Sequence, residues 1–329
     1  MAHNPGDRWG ATAAGPSRTL RLSLTDRCDL RCRYCLPAGD APFLPAGELR
    51  SLPDLMDAVL FLAERFGVDR LKLTGGEPLV REGVVGFVRG AERLPGIREV
   101  SMTTNGTRLA SLAAALAGAG LARVNVSLDT LDPGRFAELT RGGDVARVLT
   151  GIDAALDASL VPVKLNAVLR RSSWREDVPA LLDLAAGRGL EIRFIELMRT
   201  GSEAAWAEQE FVAAVEVRAA LEREGALLPL PTPVTSPARR TLARWRGAEV
   251  AVGWITPVTH PFCGACDRLR LDARGDLRRC LMDAATFPLA DALRGGGAEV
   301  TADSVVSYLL GKAPPRAMET ALPMRGIGG

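Results

Sequence analysis

Between Thr19 and Met198, short β-branched or apolar runs alternate six times with helical stretches, and this order constrains the fold more than any other feature of the 329 residues. The pattern predicts strands at Leu20–Leu24, Arg70–Leu73, Val100–Thr103, Arg123–Leu128, Val161–Val168 and Glu191–Glu196. It predicts helices over about 52–66, 82–93, 108–118, 145–158 and 174–188. β/α units in succession imply a parallel sheet with helices outside it. About eight units close a full barrel, so six predict an α/β fold with an open, partial (βα)6 barrel of TIM type. Residues 1–18 read as a disordered arm and 19–200 as the partial barrel. Residues 201–329 read as a C-terminal region, with a helix near 209–223, a Pro-rich stretch from Leu228 to Pro237, a Cys/Arg segment and a loose tail.

A parallel sheet covered on both faces has strands that are apolar on both sides. Here several strands alternate instead. Leu20, Leu22 and Leu24 oppose Arg21 and Ser23; Leu71 and Leu73 oppose Lys72 and Thr74; Val100 and Met102 oppose Ser101 and Thr103. Val124 and Val126 oppose Asn125 and Ser127, and Val163 and Leu165 oppose Lys164 and Asn166. The apolar faces must meet the helices, which leaves the polar faces pointing inward. A filled barrel core does not tolerate so many polar groups, so the interior is a wet cavity suited to a polar, anionic ligand. An antiparallel sheet with one solvated face is the alternative. The last strand breaks the pattern, because Glu196 shares parity with Ile192 and Phe194.

All six cysteines fall into two triads: Cys28, Cys32 and Cys35 as C-x3-C-x2-C, and Cys263, Cys266 and Cys280 as C-x2-C-x13-C. Three thiolates are one short of a closed structural zinc site. Three also hold an iron–sulfur cluster and leave one iron free for a small molecule. Disulfides suit small secreted chains, but residues 1–18 lack the apolar run of a signal peptide, and 329 residues build a core without staples. Zinc stays open at the second triad, where His260 lies three residues before Cys263 and completes a Cys3His set. The first triad has no histidine nearby.

Composition excludes several functions. A net charge of +2, from 41 basic and 39 acidic residues, is no footprint for a nucleic-acid backbone. The Ala- and Gly-rich uncharged stretch Leu109 to Ala122 falls short of the ~20 apolar residues of a membrane span. Gly311-Lys312 is followed by Ala313, so there is no P-loop. Two histidines leave little scope for imidazole acid–base catalysis. Free thiols in this number belong in the cytoplasm.

The first triad follows the first strand, at the end of a parallel sheet where ligand sites lie. That placement, with Thr74-Gly75-Gly76-Glu77-Pro78 after the second strand, resembles the radical S-adenosylmethionine superfamily. The segments T-D-R-C-x2-R-C-x-Y-C-L-P, L-T-G-G-E-P-L, T-T-N-G, V-S-L-D, F-I-E-L-M and H-P-F-C-G-A-C-x-R-L-R-L run in order from about Arg18 to the C-terminus. Together they are similar to the GTP 3′,8-cyclase family.

The resemblance implies two [4Fe–4S] clusters, one on Cys28, Cys32 and Cys35 and one on Cys263, Cys266 and Cys280. The first would bind S-adenosyl-L-methionine, with Tyr34, Gly76, Ser127 and Met198 around that cofactor. The second would sit on a C-terminal extension that covers the barrel opening and would bind the guanine of GTP. Arg21, Lys72, Thr103, Lys164 and Arg268-Leu269-Arg270 are implied at GTP. Arg21, Arg268, Arg270 and the terminal Gly328-Gly329 are implied in catalysis. Five of these residues, Arg21, Lys72, Thr103, Ser127 and Lys164, already lie on the polar strand faces.

The implied reaction is a radical lyase step that opens molybdenum cofactor biosynthesis. A deoxyadenosyl radical takes the 3′ hydrogen of GTP, and the C3′ radical adds to C8. Implied partners are a reductant such as a flavodoxin or ferredoxin, a downstream cyclic pyranopterin monophosphate synthase, and a second copy in a homodimer. Three residues depart from the family pattern: Asp29 for Asn, Lys72 for Arg, and Arg199 for the Pro after E-L-M. Lysine in place of arginine loses bidentate geometry. Two other readings compete, a peptide-modifying radical enzyme with an auxiliary cluster and a zinc-stabilised, non-catalytic binding protein.

Overall fold

A computed structural model describes residues 17–36, 39, 43–200, 203–296, 298–312 and 319–320. Its centre is six strands: β1 (Arg18–Ser23), β2 (Val68–Thr74), β3 (Glu99–Thr104), β4 (Arg123–Ser127), β5 (Lys164–Leu169) and β6 (Glu191–Glu196). Each pairs in parallel with the next. Between them run α1 (Leu52–Phe66), α2 (Val84–Glu92), α3 (Leu109–Gly118), α4 (Pro133–Thr140), α5 (Val145–Asp157) and α6 (Trp174–Arg188). The antiparallel alternative is excluded. Arg18 belongs to β1 and is buried, one residue inside the expected arm; residues 1–16 lie outside the described part.

Local chemistry explains the elements. At α1, Ser51 caps the N-terminus by accepting from the Asp54 amide, and Gly67 at φ 61° ends the helix in the left-handed conformation. Leu55, Val59, Leu62 and Phe66 recur at helical spacing and are fully buried. They meet Leu20, Leu22, Leu71, Leu73 and Met102 from the sheet, also fully buried. Each such side chain contributes about 1.5–3 kcal/mol by leaving water.

The C-terminal region departs from expectation. After β7 (Arg199–Thr200), two helices, α7 (Ala204–Glu210) and α8 (Ala214–Glu224), stand where one was expected. Then come β8 (Leu227–Pro229), β9 (Ala238–Trp245), β10 (Ala248–Ile255), β11 (Arg268–Leu271) and β12 (Leu277–Arg278). These strands join the central sheet in the order β12-β11-β1-β2-β3-β4-β5-β6-β10-β9-β8. β10 runs parallel to β6 and β11 parallel to β1. The extension therefore does more than cover an opening, because it supplies both neighbours of the open six-stranded sheet, whose edges would otherwise expose unpaired backbone. The expected loose tail also contains α9 (Leu289–Gly296) and α10 (Ala298–Leu310), in which Leu289, Val305 and Leu309 are fully buried. β13 (Glu319–Thr320) pairs in parallel with β7. No helix among the described residues is long and apolar enough to cross a membrane.

Candidate active site

One cavity of about 570 Å³ opens inside the sheet, lined by alternate residues of all six central strands. They are Thr19 and Arg21 from β1, Arg70 and Lys72 from β2, and Ser101 and Thr103 from β3. β4 contributes Asn125 and Ser127, β5 Asn166 and Val168, and β6 Arg193 and Ile195. All six cysteines line the same space, and all are free thiols.

The first cysteine loop is built against the turn after β2. The Gly76 amide donates to the Thr25 carbonyl at 2.7 Å, and the Glu77 amide to the Arg27 carbonyl at 2.8 Å. A Cβ on Gly76 would lie 2.3 Å from the Arg27 carbonyl oxygen, so only glycine allows this approach. Glu77 is buried and holds the loop after β3, accepting from Thr104 Oγ1 and the Asn105 amide, both at 2.7 Å. Burial pushes its carboxyl up to about 7. Asn105 Nδ2 in turn donates to Asp29 Oδ1 at 2.7 Å and lies 3.7 Å from Cys28 Sγ, which also accepts from the Leu30 amide at 3.4 Å. Tyr34 donates to Asp129 Oδ2 at 2.8 Å, while Asp129 Oδ1 accepts from the Val168 amide at 2.7 Å. Neither Asp29 nor Asp129 was assigned these contacts from sequence, since both link loops distant along the chain.

On the cavity wall, Arg270 of β11 is the register partner of Arg21, and Arg21 of Lys72. Burial first, then neighbouring Arg268, pushes Arg270 down to about 10. Lys72 is also lowered, by burial and then by Arg21 and Arg193. This row of like charges calls for an anion. Arg268 stacks over Phe262, 4.7 Å from the ring centroid; its Nε is ion-paired with Asp267 at 3.9 Å, and its buried Nη2 has no hydrogen-bond partner within the described chain. The same holds for Oδ1 of Asn125 and of Asn166. Buried polar atoms left open in this way fit a polar ligand.

The triads differ in electrostatics. Burial drives the Cys28 thiol up to about 12. Burial also opposes ionisation at Cys266, but Lys312, Arg268 and Arg270 outweigh it and lower that thiol. Lys312, at the end of α10, donates to the Arg268 carbonyl. Among the described residues no three His, Cys, Asp or Glu side chains converge where a single ion would sit. His260 is exposed, its Nδ1 3.2 Å from Thr259 Oγ1. With His260 at the surface, each triad offers three thiolates, one short of a closed zinc site and enough to hold a cluster with one open iron.

Of the residues expected at S-adenosylmethionine, Tyr34, Gly76, Ser127 and Met198 all line the cavity. Of those expected at GTP, Arg21, Lys72, Thr103, Arg268 and Arg270 line it. Leu269 does not: its side chain is fully buried behind the sheet, because a strand turns successive residues to opposite faces. Lys164 lies on the inward face but is ion-paired with Glu191 at 2.8 Å, a carboxylate that also holds Arg193 at 3.0 Å. Gly328 and Gly329 lie outside the described residues. Sequence reading misses Asn125 and Asn166 as ligand candidates, and also Arg70 and Arg193, which line the cavity while ion-paired with Asp267 at 2.8 Å and Glu191 at 3.0 Å, although strand parity already places Arg193 opposite Ile192 and Phe194. The parity break at Glu196 has a cause. Its buried carboxylate accepts from the amides of Ala214, Val258 and Thr259 and from Thr259 Oγ1, joining β6 to the start of α8 and to the loop before the second triad.

The sequence matches the Radical SAM superfamily family model over residues 22–185 and the Molybdenum Cofactor Synthesis C model over residues 190–317. It is 44% identical over 299 residues to the GTP 3′,8-cyclase of Pelotomaculum thermopropionicum, covering 90% of this chain and 91% of that one. It is 45% identical over 276 residues to GTP 3′,8-cyclase 1 of Pseudomonas aeruginosa, covering 84% and 83%. The fold resembles that of Streptococcus suis SuiB bound to S-adenosylmethionine, with a TM-score of 0.58 at 16% identity over 89% of this chain and 68% of that one. It also resembles coproporphyrinogen III oxidase from Escherichia coli, with a TM-score of 0.50 at 13% identity over 67% and 55%. With this identity across nearly its whole length, and with both cysteine triads in place, the chain belongs to the GTP 3′,8-cyclase family of radical S-adenosylmethionine enzymes.

Proposed function

We infer that this chain converts GTP to (8S)-3′,8-cyclo-7,8-dihydroguanosine 5′-triphosphate, the first step of molybdenum cofactor biosynthesis. Family membership supports the reading. The observation that carries it is that both cysteine triads and the row Arg270, Arg21 and Lys72 line one and the same cavity.

Cys28, Cys32 and Cys35 would hold the first [4Fe–4S] cluster, and Cys263, Cys266 and Cys280 the second. When bound, the first cluster and S-adenosylmethionine supply the electron and the carbon radical needed to take a hydrogen atom from an unactivated C–H bond. The protein contributes binding, orientation and exclusion of water. Tyr34, Gly76, Ser127 and Met198 are our proposed contacts for S-adenosylmethionine. Arg21, Arg268 and Arg270 offer planar, bidentate donors for phosphate oxygens, and Lys72 offers a point charge. Thr103 adds a hydroxyl on the same face. Lys164 would act through Glu191 and Arg193 rather than directly. Pro233, Pro237, Pro257 and Phe262 add apolar lining from the C-terminal region, which keeps water from a reactive intermediate. The Gly328-Gly329 end is kept as a proposed catalytic element. On the same reading a flavodoxin or ferredoxin supplies electrons, the product passes to a cyclic pyranopterin monophosphate synthase, and the enzyme works in the cytoplasm as a homodimer.

The test is anaerobic reconstitution followed by incubation with dithionite, S-adenosylmethionine and GTP. The expected result is iron and sulfide for two clusters, 5′-deoxyadenosine, and the cyclised nucleotide. Bound zinc without iron or sulfide would establish the binding-protein reading. Loss of GTP binding with both clusters intact would favour the peptide-modifying one.

A further inference from the structure

Arg27 and Asp29 are the exposed residues of the 24–36 cysteine loop; the rest are buried or half-buried. Asp29 Oδ1 lies 4.0 Å from Cys28 Sγ, so this exposed stretch adjoins the first triad. Asp29 Oδ2 accepts from Thr107 Oγ1 at 2.7 Å and pairs with Arg108 Nε at 3.6 Å. Thr107 and Arg108 form one wall of a surface depression whose other sides carry Arg81, Glu82 and Arg147. Arg27 lies near enough to Arg81 to add to the lowering that burial imposes on it. Arg108 and Arg147 are exposed. Four guanidinium groups thus face two carboxylates, one of which, Asp29, is already engaged by Thr107, Arg108 and Asn105. The depression also connects to the metal-ligating loop: Asn105 Nδ2 bonds Asp29 and lies against Cys28 Sγ.

We propose that this depression is the docking face for an acidic one-electron carrier protein that reduces the first cluster. The inference rests on the radical-enzyme reading above. Its substance is the coincidence of a net positive surface with the exposed side of the cysteine loop. The carrier loses one electron and the cluster gains one, with no atom or proton transferred. Complementary charge speeds encounter and fixes orientation, and salt weakens it.

The experiment uses the full chain with both clusters reconstituted, and an acidic flavodoxin as the probe. Turnover is driven either by reduced flavodoxin or by dithionite, and flavodoxin binding is measured separately by calorimetry. The variants are Arg147→Glu and the double Arg81→Glu/Arg147→Glu; neither position lies in the cysteine loop or the cavity. The double variant should leave the dithionite-driven rate unchanged, raise KM for flavodoxin at least about tenfold, weaken flavodoxin binding by a similar factor, and flatten its salt dependence. Arg81 also donates to the Arg50 carbonyl at 2.8 Å. The single Arg147→Glu variant therefore keeps the test sound if the double folds poorly, with a shift of about threefold. Unchanged flavodoxin affinity in folded Arg147→Glu and in the double variant overturns the docking face. Absence of dithionite-driven turnover in the parent protein strikes the enzymatic reading instead, and the calorimetric titration still decides where the carrier binds.

Discussion

Arg21 and Arg270 are register partners across the parallel β1–β11 pair, so two guanidinium groups from opposite ends of the chain sit side by side on one cavity wall. With Lys72 next in the row, and Arg268 and Arg193 close enough to act on Arg21, this wall concentrates positive charge under cover. Such an arrangement opposes folding by self-repulsion and is relieved when an anion binds the native state.

Replacing both Arg268 and Arg270 with Ala should therefore separate binding from folding. Each lost charge-assisted contact is worth about 1.5–3 kcal/mol, or roughly 10- to 150-fold in GTP affinity. The variant without GTP should keep both clusters and stay folded, because the fall in repulsion offsets the lost stacking of Arg268 on Phe262. GTP should raise the melting temperature of the parent and not of the variant. Normal turnover in the variant would remove the assigned substrate site.

Leu269 lies between those arginines in sequence yet behaves as core. Leu269→Ala should cost about 2–5 kcal/mol in denaturant unfolding while leaving GTP affinity unchanged. A selective loss of GTP binding at intact stability would return Leu269 to the binding surface.

Gly76→Ala forces a methyl group into the backbone of the cysteine loop, where the Arg27 carbonyl oxygen cannot swing aside as a side chain could. Overpacking of this kind costs about 1–3 kcal/mol. The damage should fall on the first triad, so iron content should drop by about half with the second cluster retained. Full iron loading at both sites would contradict the close packing.

Glu191 gives the pH-dependent case. Burial works against its charge, but Lys164 and Arg193 prevail and hold its carboxyl below the ordinary 4.5. A depressed carboxylate contributes stability that is complete above its unfolded value and lost as pH falls through the folded one. The parent should thus lose stability on acidification below 4.5, and Glu191→Gln should lack that component. At neutral pH the variant should be about 1–3 kcal/mol less stable, since the half-buried Lys164 and Arg193 lose their charged partner. Urea melts from pH 3 to 7 check both points; identical acid limbs in the two proteins would refute the pairing.

Strand parity is a local property, with a period of two residues, and by itself it places Arg21, Lys72, Thr103 and Ser127 on the cavity side. The same rule turns Leu269 away from the face that Arg268 and Arg270 share, although the three form one motif in sequence. Lys164 shows the limit of parity. Its direction was legible, whereas its partner Glu191 is set by pairing between β5 and β6. The strands β8, β11 and β12 are too short, and β9 too polar, to give a local signal, whereas β10 is eight mostly apolar residues whose place only its pairing with β6 and β9 shows; all form by satisfying the edges of a sheet built elsewhere in the chain.

What the chain alone determined is everything carried by near neighbours: the βα order, the inward polar faces, two thiolate triads and the glycines beside the first. Only the tertiary structure decided that both triads share one cavity, that β11 brings Arg270 beside Arg21, and that a depression lined with arginines adjoins the exposed side of the first cysteine loop. These relations join residues up to about 250 positions apart. They depend on which edges pair and which surfaces meet, and no local pattern encodes that choice.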